Sequence, residues 1–187
     1  MIDTFTQRKK AVLSKKDKSS IGEWDKRIIK LCNKINSFED YYTTSSCSGR
    51  IIVIEDKDIK SPGLFEFVSH EKVSLNEFMK HLPKNKKNFK FKQEPMILHI
   101  ACRNLDSAEK ILKKIRDSGF KRAGIISLGG KNKIVMIEII GTEKIEFPLI
   151  KKGKLLVDKE FLKEVLNKSN KNLERNWKKI EKLRKSL

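Results

Sequence analysis

Apolar residues recur along the chain with changing period, and each period assigns an element. Phe5, Val12 and Leu13 stand among basic residues in the first 15 positions and predict a short amphipathic helix. Trp24, Ile28, Leu31 and Ile35 follow at spacings of 4, 3 and 4, one face of a helix, with Ser20 and Glu23 ahead of them as a capping box. At residue 41 the period changes to that of a strand, and 41–46 and 51–55 read as two strands joined by the Cys47-Ser48-Gly49 loop. Residues 64–70 alternate as a further strand, Ser74 and Glu77 open a short helix that Pro83 ends, and 88–93 alternates Phe with Lys. The run 96–102 is apolar enough for a buried strand. Asp106 is placed to cap a helix carrying Leu105, Ala108, Ile111, Leu112 and Ile115, which Ser118-Gly119 stops. Strands at 124–128 and 133–140 flank a Gly129-Gly130 turn, and 143–148 and 154–157 read as two more. From Asp158 a stripe of Phe161, Leu162, Val165, Leu166, Leu173, Trp177 and Ile180 predicts helix to the end, with a break or bend over 167–172.

Strands that arrive in neighbouring pairs between helices, not in strict βαβ alternation, predict an α+β fold: a mixed β-sheet with flanking helices. At 187 residues with no low-complexity linker, the expectation is a single domain, 1–187, ending in a basic helical segment over about 158–187. The length can bury a core without disulfides. Three cysteines at spacings of 15 and 55 suggest free thiols in a reducing cytoplasm, and no segment is apolar enough for a signal peptide or a membrane span. There is no CxxC or HExxH pattern, so no metal is expected.

Charge changes the picture. Lys and Arg total 43 against 24 Asp and Glu, a net charge of +19 that repels itself unless a polyanion shares it. Lysine supplies 35 of the 43 cations, a bias that lysine-rich surfaces produce without any nucleic acid. Clustering favours RNA: residues 80–92 hold six lysines and no acid, with Phe89 and Phe91 between them. Lys84, Lys86, Lys87, Lys90 and Lys92 are the candidate phosphate contacts.

The most unusual stretch is Thr43-Thr44-Ser45-Ser46-Cys47-Ser48-Gly49-Arg50. Six consecutive hydroxyl or thiol side chains, backbone N–H groups freed by a glycine and a guanidinium fork are groups that bind carboxylate or phosphate; the plain alternative is a polar hairpin turn. Cys47 is a candidate nucleophile only with a base or cation beside it. His70 ends one strand and His99 lies within another, placed either as ordinary hydrogen-bonded residues or for acid–base work. Arg103 stands at a strand end, where polar residues meet ligands; its alternative is a salt bridge to Asp106. Asp17 and Asp25 flank the capping box, and Asp25 can also accept hydrogen bonds from an amine or ribose. No GxGxxG or P-loop is present.

The segment 43–50 resembles the [ST]-x-S-S-C-x-G-R signature of the third enzyme family of wybutosine synthesis. The resemblance extends over nearly the whole chain. It takes in Asp17-Lys-Ser with Gly22 and Asp25, Leu64-Phe-Glu-Phe-Val-Ser-His70, Phe91-Lys-Gln-Glu-Pro, Leu98-His99-Ile-Ala-Cys-Arg103, Gly119-Phe120, and Phe147-Pro-Leu through Gly153-Lys-Leu155. Where the family often has Pro-Lys-Gly, this chain has Ser20-Ile21-Gly22. The resemblance implies methyl transfer from S-adenosyl-L-methionine to N4 of a 4-demethylwyosine-type guanosine at position 37 of phenylalanine tRNA. It also implies a fold that is not the doubly wound, Rossmann-type methyltransferase sheet. The implied active centre maps to Ser45, Ser46, Cys47, Gly49 and Arg50, with Asp17 or Asp25 and with His70 or His99. The expected partner is the anticodon arm of phenylalanine tRNA, held by lysines, and a monomer is favoured. Two competing readings are a non-enzymatic RNA-binding protein, whose loop only grips phosphate, and a thiol enzyme with Cys47 as nucleophile.

Overall fold

The computed structural model describes residues 3–14, 25–57, 63–129 and 134–187. In chain order these form α1 (Thr4–Leu13), α2 (Ile29–Asn36), β1 (Tyr41–Cys47), β2 (Arg50–Glu55), β3 (Phe65–Ser69), α3 (Leu75–Lys80), β4 (Phe89–Glu94), β5 (Ile97–Cys102), α4 (Leu105–Asp117), β6 (Gly124–Ser127), β7 (Val135–Ile140), β8 (Ile145–Lys151), β9 (Lys154–Leu155) and α5 (Lys159–Ser186). Contacts gather into two compact units. The first is Met1–Ser48, Met96–Thr142 and Trp177–Leu187; the second is Gly49–Pro95 and Glu143–Asn176.

The first unit carries a four-stranded sheet in the order β1-β5-β7-β6. Alternation along β5 and β7 sends Leu98, Ile100, Cys102, Val135, Ile137 and Ile139 to one face. There they share a core with Ile28, Leu31 and Ile35 at the helical spacing of α2, with Ala108, Ile111 and Ile115 of α4, and with Ile180 and Leu183 of α5. On the opposite face Phe5 of α1 packs with Tyr42 and Ala101. Arg103 clamps α1 in place: its guanidinium donates to Asp40 (2.7 Å) and Asp3 (2.8 Å) and lies over the Phe5 ring. Arg103 thus forms salt bridges, the alternative to a ligand-facing role, but with Asp3 and Asp40 in place of Asp106. Asp3 also caps α1 through the Thr6 N–H, and this bond together with Arg103 holds its carboxyl down at about 2.

The second unit carries a five-stranded sheet, β3-β2-β4-β8-β9. The Phe–Lys alternation of β4 buries Phe89 and Phe91, and rings of Phe67, Phe78, Phe91, Phe147 and Phe161 touch in sequence at 5.1–5.7 Å between centroids. Gln93 continues that inward face as a fully buried amide. Its NH₂ donates to the carbonyls of Glu94 and Glu143, and its carbonyl accepts from Asn172 at 2.8 Å.

The α+β class holds, but in place of the expected mixed sheet every strand pairing among the described residues is antiparallel. The reason is common to both units. α3 joins β3 to β4 on either side of β2, and α4 joins β5 to β6 on either side of β7, so the strands that run parallel are never adjacent. β1 and β2 likewise form no hairpin and enter different sheets. The helix cap before α4 is Asn104 in a capping box with Ser107, not Asp106. The Ser20/Glu23 capping box and Trp24 lie outside the described residues, where α2 begins at Ile29. β9 spans two residues, shorter than 154–157.

α5 is continuous over the 167–172 segment, so of the break or bend expected there the break does not occur. Asparagine disfavours helix by bonding the nearby backbone, but here its amides are engaged elsewhere. Asn170 clasps Val73 by both its carbonyl and its NH₂, and Asn172 reaches Gln93. Truncating Asn172 to Ala leaves the Gln93 carbonyl buried without its partner, a loss of about 1–3 kcal/mol. The urea midpoint of Asn172→Ala is expected to fall accordingly; an unchanged midpoint would show that the buried amide pair does not hold the second unit together.

Candidate active site

The signature strand β1 is positioned from both sides. Asn36, the last residue of α2, accepts from the Thr43 N–H (2.8 Å) and donates to its hydroxyl (3.1 Å). On the sheet side β1 pairs with β5 from Tyr41↔Cys102 to Cys47↔Ile97, with a bulge between Thr43 and Ser45 that leaves Ser45 opposite His99. Leu98 and Ile100 point into the core, so His99 and Ser45 stand on the other face. There the Ser45 hydroxyl lies 2.6 Å from His99 Nδ1, and His99 Nε2 lies 2.9 Å from a Glu138 carboxylate oxygen. Ser46 is turned the opposite way, toward the thiol of Cys32; burial pushes that thiol up to about 11, while Ser46 and Thr43 draw it down.

Beyond Cys47 the chain is pinned by Asp25. One of its carboxylate oxygens accepts from the Ser48 N–H at 2.6 Å and the other from the Arg27 N–H at 3.0 Å. Its carboxylate and the partly exposed Cys47 sulfur lie within 4.8 Å of each other. Ser48 is fully buried, and its hydroxyl has no hydrogen-bond partner among the described residues. An orphaned hydroxyl, the exposed Ser45 and a carboxylate suit a ligand that carries both an amine and a carboxylate.

In the second unit, Gly49 takes φ +104°, a conformation that a side chain would strain. Arg50 donates Nε to Glu94 at 2.7 Å and stacks over Phe65, and its terminal amines have no other partner among the described residues. The guanidinium is thus held at its stem with its fork open to an anion. His70 directly follows β3, whose Ser69 pairs with Ile51, so it stands beside the start of β2.

Of the two candidate aspartates, Asp17 lies outside the described residues and Asp25 is placed on the signature loop. Of the histidines, His99 is bonded to Ser45 within the first unit, and His70 follows β3 directly after Ser69, the partner of Ile51, within the second. Arg103 is at the opposite end of the β1–β5 ladder from Ser45 and is occupied by α1. The lysines divide. Lys87, Lys90 and Lys92 pair with Glu55, Asp56 and Glu146, whereas Lys84 and Lys86 are exposed with no ion pair among the described residues. Lys144 and Lys92 hold the Glu146 carboxyl down at about 2. Sequence reasoning missed Asn36, Glu94 and Glu138. The one signal for Glu138 is a lone acid inside the apolar run Val135-Met-Ile-Glu-Ile-Ile140.

The family model for Methyltransferase TYW3 matches residues 7–187. The chain belongs to the TYW3 methyltransferase family. A tRNA(Phe) 7-((3-amino-3-carboxypropyl)-4-demethylwyosine(37)-N(4))-methyltransferase from Archaeoglobus fulgidus is 36% identical over 165 residues, covering 86% of this chain and 81% of that one. The protein of the same name from Methanocaldococcus jannaschii is 37% identical, covering 82% and 81%. The human tRNA wybutosine-synthesizing protein 3 homolog is 34% identical, covering 95% and 70%. A solved structure of a Pyrococcus horikoshii protein superposes with TM-score 0.86 at 33% identity, covering 97% of this chain and 92% of that one. No helix among the described residues is long and apolar enough to cross a membrane.

Removing the Asp25 carboxylate tests how the TYW3 signature loop is held. Its charge-assisted bond to the Ser48 amide is of the kind that contributes about 1.5–3 kcal/mol, so hydrogen exchange at Ser48 in Asp25→Ala is expected to accelerate roughly ten- to hundredfold. Unchanged exchange at Ser48 would remove Asp25 from the loop's support.

Proposed function

We propose that the chain methylates N4 of the 4-demethylwyosine-type guanosine at position 37 of phenylalanine tRNA, with S-adenosyl-L-methionine as donor. Membership of the TYW3 methyltransferase family supports the reaction class, and the names of the archaeal relatives support the acceptor. The observation that carries the reading to particular atoms is the Ser45–His99 pair on the open face of the signature strand, beside the loop that Asp25 pins.

The donor supplies an already activated methyl group: the N4–C bond forms as the S–C bond breaks, sulfur keeps the electron pair, and the N4 proton has to leave. What remains for the protein is positioning, which can supply several kcal/mol, and a proton acceptor. In the first unit His99, through the Ser45 hydroxyl, accepts that proton. Asp25 and the Ser48 hydroxyl are suited to the amine and carboxylate of the donor's methionine end. Arg50 in the second unit offers its free amines to a carboxylate or a phosphate. Lys84 and Lys86 contact the phosphates of the anticodon arm, since a flexible point charge suits backbone contact and base edges are read by other side chains.

Two measurements test this reading. Phenylalanine tRNA bearing the unmethylated tricycle is incubated with the chain and the donor, and its nucleosides are weighed. A gain of one methyl on the position-37 nucleoside is expected, and an unmodified nucleoside would overturn the assignment. Neutralising Lys84 and Lys86 together is expected to weaken tRNA binding and reduce its salt dependence by roughly one slope unit per lost contact, while donor affinity stays put. An unmoved slope would place the RNA on another surface.

A further inference from the structure

We propose that Glu138 is a positioning residue for the reaction: it fixes the tautomer of His99, so that Ser45, His99 and Glu138 form a directional proton relay across three neighbouring strands. The inference deepens the functional reading above and rests on it for the identity of the proton that is moved.

The relay follows from what each atom can do. A carboxylate accepts hydrogen bonds and donates none, so Glu138 at 2.9 Å from His99 Nε2 requires that nitrogen to carry the proton. In the neutral ring Nδ1 is then the lone-pair nitrogen, and the 2.6 Å contact to Ser45 is an O–H donated by the serine. Ser45 keeps its oxygen lone pairs for an incoming N–H. As N4 is methylated, its proton bonds to the Ser45 oxygen, the serine's own hydrogen passes to His99 Nδ1, and the ring becomes an imidazolium against the Glu138 carboxylate. One proton has moved, and serine ends as it began. With the opposite tautomer, Nδ1 would donate to Ser45 and two acceptors would face each other at Nε2.

The register isolates the row. Ser45↔His99 and His99↔Glu138 are paired positions on consecutive strands, and the position opposite Glu138 on β6 is Gly124, around whose missing Cβ nothing lies within 4 Å. β6 therefore offers the carboxylate no rival side chain at that position. The same-face neighbours of Glu138 on β7 are Met136 and Ile140, and those of His99 on β5 are Ile97 and Ala101, all apolar. The ionisable neighbours of Ser45 on that face of β1 are Cys47 and Tyr42. Side-chain exposures of 23% for His99 and 34% for Glu138 make this a solvent-reachable pair, of the kind that contributes little to stability. Its geometry matters for proton transfer, not for holding the fold.

The test compares wild type with Glu138→Gln by ¹⁵N NMR of the His99 ring in the free protein, at a pH where the ring is neutral, alongside single-turnover methylation. The wild-type ring is expected to carry its proton on Nε2 and its lone pair on Nδ1. Glu138→Gln, whose amide can donate to Nε2, is expected to shift the ring toward the Nδ1–H form and to slow single-turnover transfer by about 10²-fold, the scale of a lost general base. Donor affinity and melting temperature are expected to stay unchanged, which separates positioning from support of the fold. A wild-type ring protonated on Nδ1, or a Glu138→Gln protein with unchanged tautomer or rate, would overturn the proposal. If the wild type transfers no methyl group, the functional reading fails, while the NMR comparison still decides whether Glu138 sets the ring.

Discussion

The register of β1 on β5 is the constraint on which the first unit's site depends. Side chains alternate across a strand, so a slip of one residue would turn Ser45 into the core and bring its neighbour out. The bulge between Thr43 and Ser45 makes that choice: in a regular ladder continuing from Thr43↔Ile100, Thr44 would stand opposite His99. Asn36 fixes the ladder on one side of the bulge by holding both polar groups of Thr43, and Asp25 fixes the chain on the other by holding the Ser48 amide. A run of small hydroxyl residues has little packing of its own to specify register, so hydrogen bonds at its two ends specify it.

Much of the fold could be read from the sequence because its signals are periodic. The Phe–Lys alternation of 88–93, the Ile28-Leu31-Ile35 face and the apolar run over 96–102 each identify an element by the face they bury. What the pattern did not carry is which strands become neighbours. Periodicity says nothing about pairing, and the skipped-strand connections through α3 and α4 turned an expected mixed sheet into two antiparallel ones. The helix does not break at 167–172 for a related reason, since the asparagines there bond to groups remote in sequence, Val73 and Gln93.

The site shows the same division. The hydroxyl-rich signature announced itself by composition, and both Asp25 and His99 belong with it in space. Their supporting residues did not announce themselves, because Asn36, Glu94 and Glu138 are ordinary residues whose role exists only through register and packing. Charge counting also needed the structure. Six lysines over 80–92 suggest an unbroken cationic strip, but acids from β2, β8 and the turn after β2 engage three of them, leaving Lys80, Lys84 and Lys86 without an ion pair among the described residues. Arg103 is the converse case: a guanidinium at a strand end that serves α1 and the helix-capping Asp3.

On the proposed reading the methyl donor is held by β1 and the loop that Asp25 pins. Adding S-adenosyl-L-methionine to the ¹⁵N-labelled protein and mapping the amide shifts tests it most directly. Saturable shifts at Ser45, Cys47, Ser48 and His99 are expected. Saturable binding that leaves these four resonances in place and moves others, such as those of the exposed face of α4, would contradict it.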